Sequence, residues 1–161
     1  MRFHILKQSE KEQIENLLKR QFGITKIPGI LLTQTSEKIF LFQGEFNEKQ
    51  IKKLSETALI EKIGIYFAKI IEDKQKEKHI RLSIEATQVL KNQITKNIFE
   101  LNKEQAEKWM MGQELYIKTG KKCFLIMKYK DDFLGTGKAS EEKIGNYIPK
   151  TRRLKSKSLV K

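Results

Sequence analysis

The chain has 161 residues, with 33 Lys plus Arg against 20 Asp plus Glu, a formal net charge of +13, and 39% hydrophobic residues. That length holds one medium domain or two small ones, and the apolar content with only two prolines excludes a disordered or proline-rich chain. A positive excess of this size favours polyanionic partners, and it is concentrated late, since residues 118–161 hold 13 basic and 4 acidic side chains.

"RFHIL" predicts a short strand, after which Ser9 is expected to cap a helix over "SEKEQIENLLKRQF". Ile14, Leu17, Leu18 and Phe22 share one face of that helix, and Gly23 should stop it. The turn chemistry of "GITKIPG" leads into "ILLTQ" and "KIFLFQ", a hairpin joined by the polar "TSEK". Asn47 is the expected cap of a second helix with Ile51, Leu54 and Ala58 at helical spacing. "IGIYFAKIIE", β-branched and aromatic, reads as a strand packed on one face. The charged segment "DKQKEK", residues 73–78, has no apolar residue to bury, so a domain boundary is placed there. The resulting division is an N-terminal α/β domain over residues 1–76, a second domain over 77–155 and a basic tail over 156–161.

The second domain restarts with "HIRLS", then a helix over "IEATQVLKNQI" with Ala86, Val89, Leu90 and Ile94 facing inward. "NIFELN" is strand-like, "KEQAEKWMMG" is a short helix ending at Gly112, and "QELYIKT" reads as a strand. "KKCFLIMKYK" and "DFLGTGKAS" read as two further strands turned by "KDD". The fold class is α+β, with about six short strands and two short helices in the second half forming a small mixed β-barrel.

Catalytic constellations are missing. His4 and His79 are far apart and not at ligand spacing from Cys, Asp or Glu, and GxSxG, P-loop and HExxH motifs are absent. Cys123, the single cysteine, excludes an internal disulfide and reads as a buried thiol in the apolar run "CFLIM". A non-enzymatic protein without cofactor or metal is therefore expected. "GTG" at Gly135 to Gly137 lacks the third glycine and following helix of a nucleotide loop. It reads either as backbone access for a nucleic-acid chain or as a tight bend at a barrel corner. Asp131 and Asp132 read as turn residues. No apolar run is long enough to span a bilayer and no signal-peptide core opens the chain, so no membrane partner and a cytoplasmic location are expected.

The succession "HIRLSIEATQVLKN", "IFELNKEQAEKWMMGQELY" and "FLGTGKAS" resembles a PUA domain, an RNA-binding module, over roughly residues 79–153. With an α/β half before it, the layout resembles the Nip family of large-ribosomal-subunit biogenesis factors. The ending "KIGNYIPKTRR" is instead similar to the PUA extension of Sun-group RNA 5-methylcytosine methyltransferases, although no glycine-rich S-adenosylmethionine turn occurs. Together the resemblances imply a pre-PUA domain at residues 1–76, a PUA domain at 77–155, and an archaeal source. They imply an RNA-binding accessory factor in ribosome biogenesis or in rRNA or tRNA modification, working with ribosome-assembly proteins or an RNA methyltransferase. Two alternatives stand beside it: a detached RNA-targeting subunit of a 5-methylcytosine methyltransferase, and a charge-driven nucleic-acid binder without RNA selectivity. The implied RNA surface comprises Gly135, Gly137 and Lys138 with Arg81, Lys128, Lys150, Arg152 and Arg153. Arg152 and Arg153 are the first choice for phosphate contacts, and replacing both by alanine is expected to leave the melting temperature nearly unchanged. Tyr147 is a candidate for base stacking, whereas Trp109 fits a core position better.

Overall fold

A computed structural model describes residues 2–156. Of the tail assigned to 156–161, residues 157–161 lie outside the described residues. Among the described residues, nine strands and four α-helices follow in the order β1(His4–Ile5), α1(Gln8–Phe22), β2(Ile30–Thr33), β3(Lys38–Phe42), α2(Glu48–Thr57), β4(Ile65–Glu72), β5(Lys78–Leu82), α3(Ile84–Val89), β6(Ile98–Glu100), α4(Lys103–Met110), β7(Phe124–Tyr129), β8(Asp132–Ala139) and β9(Ile144–Gly145). They build a five-stranded antiparallel sheet, ordered β1-β2-β3-β4-β5, and a four-stranded curled sheet, ordered β6-β7-β8-β9, in which only the β6–β7 pair is parallel. The second sheet is a half-barrel with open edges. The small mixed barrel of about six strands is corrected in two places: "HIRLS" joins the first sheet as β5, and "QELYIKT" forms no strand. Leu115 makes a single bridge to Ile144, and the Ile117 N–H then turns back to the Leu115 carbonyl (3.0 Å), a three-residue turn that ends any pairing.

Helix α1 begins at Gln8, one residue before the serine expected to cap it. The cap is Lys7, whose N–H donates to the Glu10 carboxylate at 2.7 Å. A carboxylate in the first turn satisfies a free amide and complements the helix dipole, and that bond holds the Glu10 carboxyl below its ordinary value. Ile14, Leu18 and Phe22 are buried as their spacing predicts, each contributing about 1.5–3 kcal/mol. Gly23 ends the helix, and its N–H bonds the Leu18 and Lys19 carbonyls. Asn47 caps α2 and accepts from the Gln50 N–H (2.9 Å). Of the three residues expected to face inward, only Ile51 is buried, while Leu54 and Ala58 are exposed. The reason is that α2 covers a small patch, Leu32, Ile51 and Ile63, on one face of the first sheet.

Of residues 73–78, read as an interdomain spacer, Lys78 opens β5 and 73–77 are the turn of the β4–β5 hairpin. Asp73 organises it: its Oδ1 accepts from the N–H groups of Gln75 and Glu77 (2.9 Å each), and its Oδ2 meets His79 Nε2 at 2.8 Å. Beyond the turn, β5 alternates, with Ile80 and Leu82 buried and His79 and Arg81 half-buried on the opposite face. Its free edge is occupied by side chains. The Gln21 amide donates to the Ile80 carbonyl (3.0 Å) and accepts the Ile80 N–H (2.7 Å), and Thr136 Oγ1 accepts the Leu82 N–H (3.1 Å). These contacts keep a fully furnished sheet edge from remaining open.

The largest hydrophobic cluster crosses residue 77. It joins Ile14, Leu18 and Phe22 of α1, Phe67 and Ala68 of β4, Ile80 and Leu82 of β5, Ala86 and Leu90, and Phe124 and Ile126 of β7. Leu125 and Met127, the alternate residues of β7, enter a second cluster around Trp109, Leu101, Ile144 and Ile148. Burial on both faces explains why "CFLIM" is continuously apolar instead of alternating. Cys123, at the start of that run, is half-buried.

Candidate nucleic-acid interface

Where β5 runs into α3, the bend of β8 and the segment after β9 close in to form a cleft of about 410 Å³. Two buried threonines fix its floor. Thr87 donates from Oγ1 to the Ile84 carbonyl (2.7 Å) and accepts the Gly135 N–H (3.2 Å), while Thr136 holds the Leu82 amide. Gly135 has φ +79°, a left-handed conformation that strains any residue with a Cβ, and a Cβ there would also crowd Ile84 (3.2 Å). The glycine therefore serves the bend. Its amide is committed to Thr87 and is not offered to a ligand.

Tyr147, 41% exposed, forms one wall. The Arg81 guanidinium lies 4.0 Å from its ring centroid, and the Phe124 ring is 6.4 Å away. Lys138 Nζ sits 4.7 Å above that same Phe124 ring, so Arg81, Tyr147, Phe124 and Lys138 form one continuous strip of cations and aromatics. Arg152 lines the cleft and pairs with Glu85 on α3. Lys62 adds a third cation to the lining.

The expected site residues therefore separate. Arg81, Gly135, Tyr147 and Arg152 line the cleft, and Lys138 adjoins it through Phe124. Lys150 is exposed on the short 3-10 turn Lys150–Arg152 beside it. Three others do not join. Gly137 is buried, and a Cβ there would fall 2.6 Å from Ile144 and 2.8 Å from Trp109, so its backbone is sealed by packing. Lys128 stands at the other end of β7, paired with Glu100 (3.5 Å) and over the Phe133 ring (5.5 Å). Arg153 packs against Gly112 and donates from Nε to the Ile148 carbonyl (3.0 Å), anchoring the chain end to the terminus of α4. Trp109 is fully buried, with Nε1 donating to the Leu134 carbonyl (2.8 Å).

The string "GNYIPKTRR" thus alternates support with exposure. Asn146 ties the segment to α4 by donating to the Trp109 and Gln113 carbonyls (2.8 and 3.0 Å), Ile148 enters the core, and Tyr147 and Arg152 face the cleft. Lys62, Tyr66 and Glu85 also line the cleft and were not among the expected residues. Their positions depend on pairing between distant segments, and only the acidic first turn of α3 carries a local signal.

His79, expected to be remote from ligand-type neighbours, stands with Asp73 and Glu77 in a group whose ligand atoms all lie within 4.8 Å of one another. These groups close the β4–β5 turn, and Glu77 also pairs with Arg20 (3.5 Å). Among the described residues, no helix is long and apolar enough to cross a membrane.

Residues 96–154 match the family model described as "Methyltransferase RsmF PUA domain", so this part of the chain is similar to the PUA domain of an RNA methyltransferase. The match starts after α3, and no finding extends the likeness to the Nip family. No curated protein matches the chain. The cleft therefore straddles the start of the matched segment: Gly135, Tyr147 and Arg152 lie within it, Arg81 and Glu85 before it.

Proposed function

We propose that the protein binds folded RNA through this cleft, without catalysing a reaction itself, and acts with an RNA methyltransferase whose substrate it helps to select. The carrying observation is the convergence of Arg81, Tyr147 and Arg152, from three separate segments, on one cleft at the edge of the segment similar to a PUA domain. Arginine forks bond phosphate oxygens in pairs, and an aromatic wall suits an unstacked base. The likeness to the methyltransferase-associated domain favours a role in RNA modification over ribosome assembly. Phosphates would be met at the rim by Arg152, Lys62 and Lys138, and ribose and base by the wall of Tyr147 and Arg81.

The test is a fluorescence-polarisation titration of the full chain against bulk tRNA and duplex DNA over a range of salt. Engaging about four phosphates gives a log-log slope of roughly −3 to −4, with tRNA bound more tightly than DNA. Equal affinity for the two at every salt concentration would leave only charge-driven binding. Copurification with a methyltransferase, and loss of its activity when this chain is omitted, tests the partnership.

A further inference from the structure

We propose that the cleft takes one unpaired guanine of its RNA, read by the Glu85 carboxylate; the inference rests on the RNA-binding reading above. Glu85 is the one acidic residue lining a cleft that also holds Lys62, Arg81 and Arg152. Its place is fixed by α3, whose Ser83 cap accepts the Ala86 N–H (3.1 Å), and its side chain is 29% exposed. In the free protein its partner is Arg152.

A phosphate arriving at Arg152 competes with that carboxylate and leaves it facing an anion. Ionised carboxylate only accepts hydrogen bonds, so the group that resolves the conflict is a pair of adjacent N–H donors. Guanine presents N1–H and its 2-amino group side by side. Adenine and cytosine place a ring acceptor next to one amino group, and uracil sets a single N–H between two carbonyls. Binding then exchanges one ion pair for two charge-assisted contacts, Glu85 with guanine and Arg152 with phosphate. The base must be unpaired, because a duplex occupies this edge, and the Tyr147 ring with the Arg81 guanidinium supplies flat surface for it.

The experiment titrates the full chain with hairpin RNAs identical except for a one-nucleotide bulge of guanosine, inosine, adenosine or uridine. The guanosine bulge is expected to bind about tenfold or more tighter than the uridine bulge. Inosine, which lacks the 2-amino group, should lose most of that advantage in the unaltered protein, a comparison independent of any variant's folding. Glu85→Gln should bring the guanosine bulge to the level of the uridine bulge. Equal affinity for all four bulges would overturn the guanine reading while leaving RNA binding intact. Failure of every hairpin to bind would overturn both.

Discussion

Arg152 lines the cleft beside Glu85, whereas Arg153 packs on Gly112 and bonds the Ile148 carbonyl. Their replacement should therefore separate two effects that the sequence treats as one. Arg153→Ala removes a charge-assisted bond worth about 1.5–3 kcal/mol, a drop of several degrees in melting temperature. Arg152→Ala loses only an exposed pair, worth about 0–1 kcal/mol, and should leave melting nearly unchanged while weakening RNA binding. Thermal denaturation and polarisation titration of both variants check this, and a stable Arg153→Ala protein would contradict it. Gly137 makes the same point about the glycines. Alanine there must displace Ile144 or Trp109, at a cost of about 1–3 kcal/mol in a urea titration; unchanged stability would mean the packing is looser than described. The burial of Trp109 was legible in its helical spacing. The division between Arg152 and Arg153 was not, because it depends on where α4 ends in space.

Among the elements, helices and strands with a strong apolar period were legible: α1, the β2–β3 hairpin, α4, and the β7–β8 hairpin all lie where pattern places them. Where composition serves two purposes, the pattern leaves the outcome open. A charged run without apolar residues fits a linker and a tight turn equally, and here Asp73 makes it a turn. The "GTG" step fits ligand access and a bend equally, and here it bends, under Thr87 and against Trp109. The turn also carries a pH dependence. The His79 bond first, then the Glu77 amide, hold the Asp73 carboxyl below its ordinary value of 3.8. A depressed folded value means the contribution is complete above about 3.8 and is lost as pH falls through the lowered value. Amide-exchange protection at Gln75 and Glu77 should accordingly hold at neutral pH and fall in strong acid, ahead of the core strands. Constant protection through that range would remove Asp73 as the organiser of the turn.

At the scale of the molecule, the two sheets share one apolar cluster that spans α1, β4, β5 and β7, and the cleft opens beside the junction they form. Every candidate read from the sequence lies after residue 77, and Arg81, Gly135, Tyr147 and Arg152 among them line one cleft. Lys62 and Tyr66, which also line the cleft, come from the N-terminal half, at and just before the start of β4, and were not among those candidates. Such contacts are long-range, and periodicity within a single segment carries no trace of them. The positive charge late in the chain is likewise divided, since Lys128, Lys143 and Lys118 are paired with carboxylates away from the cleft. Affinity should therefore follow a few placed cations, not net charge. The most direct measurement is ultraviolet crosslinking of bound tRNA followed by mass spectrometry of the crosslinked peptides. The peptide carrying Tyr147, and that carrying Arg81, should be the main crosslinked species and should disappear when salt releases the RNA. Crosslinks confined to α2 or to the exposed Lys121 and Lys122, with Tyr147 unmodified, would contradict the cleft as the RNA site.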